Sequence, residues 1–168
     1  NFNKFIKKLK HSESFAPGSV YKGFKSIGNL FEIKNKNVKI LEKIFIKNIN
    51  LYLNNFSKSK DKFIKDYPKK NKLKGWYIRI KNGGGIGYHI HNSWLSGVFY
   101  LRVPKKIENG KLEMSLANWG FQKKKKLLST IIPKNGKLIL FPSCLPHKVT
   151  KFEKNFFRVS VAFDIVAT

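Results

Sequence analysis

The chain contains four histidines, at positions 11, 89, 91 and 147, and two of them form the short motif His89-Ile90-His91. Side chains at positions i and i+2 of a β-strand point to the same face, so both imidazoles of this motif can reach one metal ion. A third ligand has to come from elsewhere in the fold, and His147 is the natural candidate. Imidazole ligands that leave coordination positions open suit redox-active iron. The spacing allows an iron site formed by His89, His91 and His147, but a His-x-His pair taken alone is more often a chance or surface feature than a metal site.

Arginine occurs at only three positions, Arg79, Arg102 and Arg158, whereas lysine supplies the rest of the positive charge. This usage suggests that the arginines lie where a planar, bidentate guanidinium is needed. Strand alternation at the C-terminal end places Arg158, Ser160 and Ala162 on one face. A buried arginine needs an anionic partner, and the carboxylate of a dicarboxylic acid would bind it through two hydrogen bonds. The alternative is an internal salt bridge, for which the nine acidic residues offer few partners.

The elements that must position these residues differ between the two parts of the chain. From Val38 to Phe56 the apolar residues recur at helical spacing, which predicts a helix that packs on a core. Asp66 to Lys74 is predicted to be a connection, and the segment Asn82-Gly83-Gly84-Gly85 to be a turn. Strands are predicted at 76–81, 86–90, 95–103, 110–116, 127–132, 137–142, 147–152 and 156–165. Eight short strands with frequent turns are typical of a β-sandwich or jelly roll, with the helix covering one outer face.

Composition excludes several classes of protein. With 168 residues, 42% of them hydrophobic and 14% aromatic, the chain can form one packed domain and does not have the composition of a disordered protein. No apolar stretch is long enough to span a bilayer, and the first ten residues lack the apolar core of a signal peptide. The single cysteine, Cys144, cannot form an internal disulfide, which agrees either with a reducing compartment, for which we expect the cytoplasm, or with no dependence on redox conditions. The chain does not begin with methionine, as expected either for a trimmed chain or for a piece of a longer protein.

The formal net charge of +26 allows two interpretations. A basic surface attracts phosphates, so the charge could indicate a protein that binds nucleic acid or an acidic membrane. However, the positive charge is almost all lysine and is scattered along the chain, and isoleucine, asparagine and phenylalanine are also abundant, as in proteins from AT-rich genomes. We therefore favour compositional drift and do not expect nucleic acid to be a partner.

The motifs together resemble the 2-oxoglutarate- and Fe(II)-dependent oxygenases often found downstream of tetratricopeptide repeats, and more distantly the prolyl-hydroxylase type. They are, in chain order, Gly83-Gly84-Gly85, then His89-Ile90-His91-Asn92-Ser93-Trp94-Leu95-Ser96-Gly97-Val98-Phe99-Tyr100-Leu101, then Gly136 to Ser143 with His147, then Arg158 to Asp164. The resemblance implies a mainly β fold with an N-terminal helix (α+β), the double-stranded β-helix or jelly roll. It also implies a single oxygenase domain over 1–168, with 1–74 as a helical cover and 75–168 as the β-helix core.

By position, His89 and His147 match the two histidine ligands of iron in such oxygenases. Arg158 matches the arginine that holds the distal carboxylate of 2-oxoglutarate, Tyr100 falls where a tyrosine hydroxyl often binds the same carboxylate, and Ser160 completes an Arg-x-Ser element. The resemblance thus implies Fe(II) as cofactor, 2-oxoglutarate and O₂ as cosubstrates, and hydroxylation of a substrate that the sequence does not identify.

Two positions need separate treatment. His91 occupies the place where the family has an aspartate ligand, so either iron is held by three histidines, which we favour, or His91 lies behind the ligands. Arg79, on the strand before the glycines, is a further candidate for contact with cosubstrate or substrate. The alternatives to the oxygenase are a cupin-like metalloenzyme with three histidines and no 2-oxoglutarate, and, less favoured, a basic nucleic-acid-binding module.

Overall fold

The computed structural model describes residues 11–12, 20–105, 107, 109–116 and 127–168. The strands are β1 His11–Ser12, β2 Val20–Ser26, β3 Asn71–His89, β4 Leu95–Arg102, β5 Leu112–Ser115, β6 Leu127–Ile131, β7 Leu138–Pro142, β8 His147–Phe152 and β9 Arg158–Ala167. The helices are α1 Lys36–Asn55 and α2 Lys62–Lys65, after a 3₁₀ turn at Leu30–Glu32. Within these ranges, no helix combines the length and the apolar character needed to cross a membrane.

The strands form one curled antiparallel sheet in which neighbours follow the order β6-β5-β8-β3-β9-β4-β7. The long strand β3 belongs to both halves of the curl, because residues 71–80 pair with β9 and residues 84–89 pair with β8. Strand β2 pairs along the middle of β3. Curling places a cavity between the two halves. The predicted jelly roll, a double-stranded β-helix with an N-terminal helix, is confirmed.

Helix α1 covers the outer face of the sheet, as its periodicity predicts. Phe45 is fully buried and stacks on Phe163 of β9 with ring centroids 4.4 Å apart. Burial of one such side chain contributes about 1.5–3 kcal/mol. The helix begins two residues before the predicted Val38, because the side chain of Asn35 accepts hydrogen bonds from the first free amides. The side chains on the outer face of β9 therefore pack against α1, and those on its inner face line the cavity.

The glycine segment differs from its prediction. Residues 82–85 lie inside the continuous strand β3 instead of forming a turn between two strands. A Cβ on Gly84 would lie 2.5 Å from the carbonyl oxygen of Lys22, and one on Gly85 would lie 2.7 Å from that of Val149. The glycines thus permit β2 and β8 to approach β3 closely, which is a second use of glycine beside turns.

The first part of the chain also holds strands that were not predicted. Val20–Ser26 forms β2, and residues 71–74, predicted to be a connection, begin β3. The register between β2 and β3 shifts between Tyr21 and Gly23, so the inward positions of β2 do not follow a simple alternation. Irregular alternation removes the period-two signal on which strand prediction depends.

Candidate active site

The structure brings His89, His91 and His147 together at one end of the cavity. His89 ends β3, His147 begins β8, and the two residues face each other in the register of these strands. His91 lies just beyond β3, with its ring 5.0 Å from that of His89 and 5.1 Å from that of His147. One possible ligand atom from each of the three residues lies within 4.8 Å of the others. The predicted convergence of the three imidazoles is therefore present.

Each of the three imidazole rings is oriented by a hydrogen bond at its Nδ1 atom. The Nδ1 atoms of His89 and His147 each lie 2.8 Å from a backbone carbonyl oxygen, that of Gly87 and that of Leu145 respectively. The Nδ1 atom of His91 lies 2.8 Å and 2.9 Å from the two carboxylate oxygens of Asp164. Carbonyl and carboxylate oxygens only accept hydrogen bonds, so Nδ1 carries the proton in all three rings. In a neutral ring with the proton on Nδ1, the Nε2 atom keeps its lone pair, which is the state that a metal ligand requires.

Burial keeps two of these rings neutral. It lowers the pKa of His147 to about 3, with a smaller contribution from the neighbouring charge of His89. Burial also lowers the pKa of His89. The walls beside the rings are aromatic, since Phe141 lies edge-on to His147 at 4.7 Å and Trp76 lies 5.4 Å from His91. Neutral imidazoles in an apolar wall bind a cation without first losing a proton.

The deep end of the same cavity is formed by Arg158, Tyr100 and Ser160. The cavity has a volume of about 1130 Å³, and these three residues line it together with the histidines. All three are at most 1% exposed. Tyr100 and Ser160 are cross-strand neighbours, and the Arg158 guanidinium lies 4.9 Å from the centre of the Tyr100 ring. Burial lowers the pKa of Arg158, while Tyr100 opposes this effect.

These residues leave hydrogen-bonding atoms unpaired. Arg158 Nε, the Tyr100 hydroxyl and the Ser160 hydroxyl are buried without a hydrogen-bond partner. No salt bridge among the described residues includes Arg158. A buried guanidinium Nε atom and two buried hydroxyls without partners are costly, and because all three residues line one cavity they indicate a binding site for an anion with several acceptor atoms.

Arg79, in contrast, is not brought to the cavity. On β3 the side chains of Trp76 and Ile78 line the cavity, and strand alternation turns Arg79 to the opposite face. Its guanidinium lies between the rings of Phe24, at 4.7 Å, and Phe157, at 4.4 Å. This placement gives Arg79 no contact with the space between the histidines and Arg158.

Two residues that the sequence interpretation did not select also belong to the site. Asp164 is buried, and its Oδ1 atom accepts hydrogen bonds from His91 and, at 2.7 Å, from the hydroxyl of Ser96. The sequence does contain a sign that Asp164 belongs to the site. It continues the inner face of β9 two positions beyond Ala162, and it is one of only nine acidic residues. Ser96 has no comparable signal, since a serine on a strand is common.

The comparisons with known proteins agree with this geometry. A model of the family described as "Putative 2OG-Fe(II) oxygenase" matches residues 74–164, which is more than half of the chain. No curated protein matches the chain at a significant level. The matched segment runs from β3 to β9 and contains all of the residues assigned above to the cavity.

Solved structures resemble the chain over almost its whole length. A prolyl-4-hydroxylase from Pseudomonas putida has a TM-score of 0.66 at 14% identity, with 99% of this chain and 82% of that chain covered. A prolyl hydroxylase from Trichoplax adhaerens, in complex with a peptide fragment of the hypoxia inducible factor oxygen degradation domain, has a TM-score of 0.61 at 15% identity, with 98% and 74% covered. HygX from Streptomyces hygroscopicus, with nickel and 2-oxoglutarate bound, has a TM-score of 0.59 at 13% identity, with 99% and 77% covered.

At these identities the structural likeness shows the fold alone, which is the double-stranded β-helix. The family itself is shown by the sequence match, whose length exceeds half of the chain. The resemblance stated from the motifs is thereby confirmed. The chain belongs to the family of 2-oxoglutarate- and Fe(II)-dependent oxygenases.

Proposed function

We propose that this protein is a hydroxylase that binds Fe(II) through His89, His91 and His147 and binds 2-oxoglutarate through Arg158, Tyr100 and Ser160. The observation that carries the proposal is the coexistence, in one cavity, of three inward imidazoles and three buried donors without partners. Either group by itself would be compatible with a purely structural role. Together they match an ion and a dicarboxylate that occupy neighbouring places.

The histidine cluster fits Fe(II) by its donor chemistry. Three Nε2 lone pairs from His89, His91 and His147 would hold the ion and leave coordination positions open. The hydrogen bonds that the Nδ1 atoms donate hold the rings in place before the ion arrives, so little ordering is needed on binding. With Fe(II), 2-oxoglutarate and O₂ bound, the site would supply hydroxylation of a substrate C–H bond coupled to oxidative decarboxylation of 2-oxoglutarate to succinate and carbon dioxide.

Arg158, Tyr100 and Ser160 fit the distal carboxylate of 2-oxoglutarate. A carboxylate accepts hydrogen bonds from a guanidinium and two hydroxyls at once, which would satisfy all three unpaired atoms. Arg158 also provides the positive charge that offsets desolvation of the anion. These residues therefore orient the cosubstrate with its other end toward the histidines, and the apolar walls exclude water from the reacting groups.

A second candidate function is supported by His91. Because this residue stands where the family has an aspartate, the ligand set also suits a cupin-like enzyme that uses three histidines and does not bind 2-oxoglutarate. That candidate leaves the buried donors of Arg158, Tyr100 and Ser160 unexplained. Release of succinate that requires both 2-oxoglutarate and Fe(II) would separate the two, because the cupin-like enzyme would release none.

The decisive experiment is an anaerobic titration of metal-free protein with Fe(II) and then 2-oxoglutarate, followed by visible absorption. We expect a metal-to-ligand charge-transfer band when the keto acid chelates the ion. The variant His147→Ala should not develop the band, whereas Arg102→Ala, which changes an exposed arginine of β4, should behave as wild type. Wild-type protein that is folded and binds Fe(II) but shows no band would refute the cosubstrate assignment.

We also propose a cytoplasmic location. Cys144 is exposed and is the only cysteine of the chain, so it has no internal partner for a disulfide. The cytoplasm is reducing, so it would keep this thiol free and the iron in the ferrous state. Fractionation of cells that express the protein would test this, and recovery in a secreted or envelope fraction would contradict it.

A further inference from the structure

The hydrogen bond between His91 and Asp164 is unlike those of the other two histidines. His89 and His147 donate to backbone carbonyl oxygens, which carry no net charge. His91 instead lies at 2.8 Å and 2.9 Å from both oxygens of a buried carboxylate. A carboxylate behind a ligand histidine raises the basicity of the ring and fixes its orientation.

The charge of the site makes this contact important. Three neutral imidazoles add no negative charge, so a divalent ion held by them would be buried without a counterion. Asp164 and Glu32 are the acidic side chains among the described residues that line the cavity. Glu32 is exposed and hydrogen-bonded to Asn29, whereas Asp164 is buried against His91. Among the described residues, Asp164 is thus the acidic side chain in contact with the cluster.

A chain of serines holds this carboxylate in place. The Ser96 hydroxyl donates its one hydrogen to Asp164 over 2.7 Å. It therefore accepts a hydrogen bond from the Ser143 hydroxyl, which lies 2.8 Å away. The Ser143 hydroxyl in turn accepts from the Ser93 hydroxyl over 2.8 Å. Ser143 also binds the backbone of His91, whose amide donates to its carbonyl oxygen over 3.0 Å. The same network therefore orients the main chain of His91 and the carboxylate that binds its ring.

Two lysines near Asp164 are also attracted to its negatively charged carboxylate. Lys74 faces it across the β3–β9 register, and the charge of Asp164 raises the pKa of Lys25 against the stronger effect of burial. However, no salt bridge among the described residues joins Asp164 to a lysine. The contacts at hydrogen-bonding distance are those to His91 and Ser96, so the carboxylate is directed toward the histidine.

We propose that Asp164 is a positioning residue for the metal centre, which orients His91 and supplies, through that imidazole, the negative charge that a three-histidine ligand set lacks. This inference rests on the proposed function, since it requires that the three histidines bind a metal ion. In this role Asp164 acts through His91 and does not itself contact the ion.

The test is a double-mutant cycle read by the affinity for Co(II), a spectroscopic probe, without 2-oxoglutarate. We expect Asp164→Asn to weaken Co(II) binding by about 10- to 100-fold, because the amide adds no charge and binds His91 less strongly. The matched control is Asp66→Asn, which removes the same charge from an exposed position and should leave the affinity unchanged. The unfolding midpoint of each variant shows whether the protein remains folded.

The second background is His91→Asp, which places a carboxylate directly beside the ion. In this background the introduced carboxylate already supplies negative charge to the ion. The carboxylate of Asp164 then repels the introduced one and has no imidazole ring to orient. Asp164→Asn should then leave Co(II) affinity unchanged or tighten it, so the sign of its effect depends on His91. A loss of equal size in both backgrounds would mean that Asp164 only supports the local structure, and would overturn the proposal.

The remaining outcomes are also decisive. Wild-type protein that does not bind Co(II) would refute the proposed function and this inference with it. Wild-type binding with Asp164→Asn unchanged would refute the inference alone. If Asp164→Asn does not fold, Ser96→Ala replaces it, because it removes one hydrogen bond to Asp164 and should weaken Co(II) binding by about fivefold. An unchanged affinity in Ser96→Ala would then overturn the proposal.

Discussion

Replacement of Arg158 by methionine should act on stability and on cosubstrate binding in opposite directions. In the protein without ligand, the guanidinium is 1% exposed, and its Nε has no hydrogen-bond partner. Methionine fills much of the same volume and keeps contact with the Tyr100 ring without burying a charge. Replacement of poorly compensated buried charges by apolar side chains is commonly neutral or stabilising by about 1–4 kcal/mol. We therefore expect an equal or higher unfolding midpoint for Arg158→Met.

Binding of 2-oxoglutarate should be weakened strongly by the same change. Loss of one partner of a buried, hydrogen-bonded ion pair costs about 2–5 kcal/mol, because the carboxylate is left desolvated and unpaired. A loss near the middle of this range, about 3 kcal/mol, corresponds to an increase in Kd of about 150-fold. Binding of Fe(II) should change little, since the cluster of His89, His91 and His147 lies at the other end of the cavity.

The assay is calorimetric titration of 2-oxoglutarate into Fe(II)-loaded protein under anaerobic conditions, with a thermal melt of each metal-free variant. Arg102→Met is the control, because it removes an exposed arginine from β4; its contact with the Phe156 ring limits the expected loss of stability to about 0.5–1 kcal/mol. An unchanged Kd in Arg158→Met would show that the cosubstrate pocket lies elsewhere. A melt lowered by many degrees would show that Arg158 has a structural partner, contrary to the reasoning above.

Two further predictions separate packing from the site. Phe45→Ala should lower the free energy of unfolding by about 3–5 kcal/mol, because it leaves a cavity against Phe163. The Kd for 2-oxoglutarate should be unchanged in the fraction of protein that remains folded. A loss below about 1 kcal/mol in a denaturant titration would contradict the packing of α1. Gly85→Ala should cost about 1–3 kcal/mol and weaken Fe(II) binding, because its Cβ meets the carbonyl oxygen of Val149, 2.7 Å away, on the strand that carries His147. Wild-type metal affinity and stability in this variant would show that β3 and β8 separate without cost.

Much of the candidate site could be predicted from local pattern. The alternation of β9 assigns Arg158 and Ser160 to one face and the packing residues to the other, and the structure has this arrangement. The reason is that successive side chains of a strand point to opposite faces whatever surrounds it. Helix α1 was predictable for the same kind of reason, since a stripe at helical spacing needs no knowledge of its partner to be recognised.

Other features were decided by the tertiary structure. Alternation shows that Arg79 and Trp76 lie on opposite faces of β3, but only the curl of the sheet determines that the face of Trp76 is the inner one. The glycines were ambiguous because the same residue reverses a chain or admits a close neighbour, and the approach of β8 selects the second. The pairing of Asp164 with His91 joins residues 73 positions apart. Local spacing sets the face on which a side chain lies, whereas long-range strand pairing sets the residue that it meets.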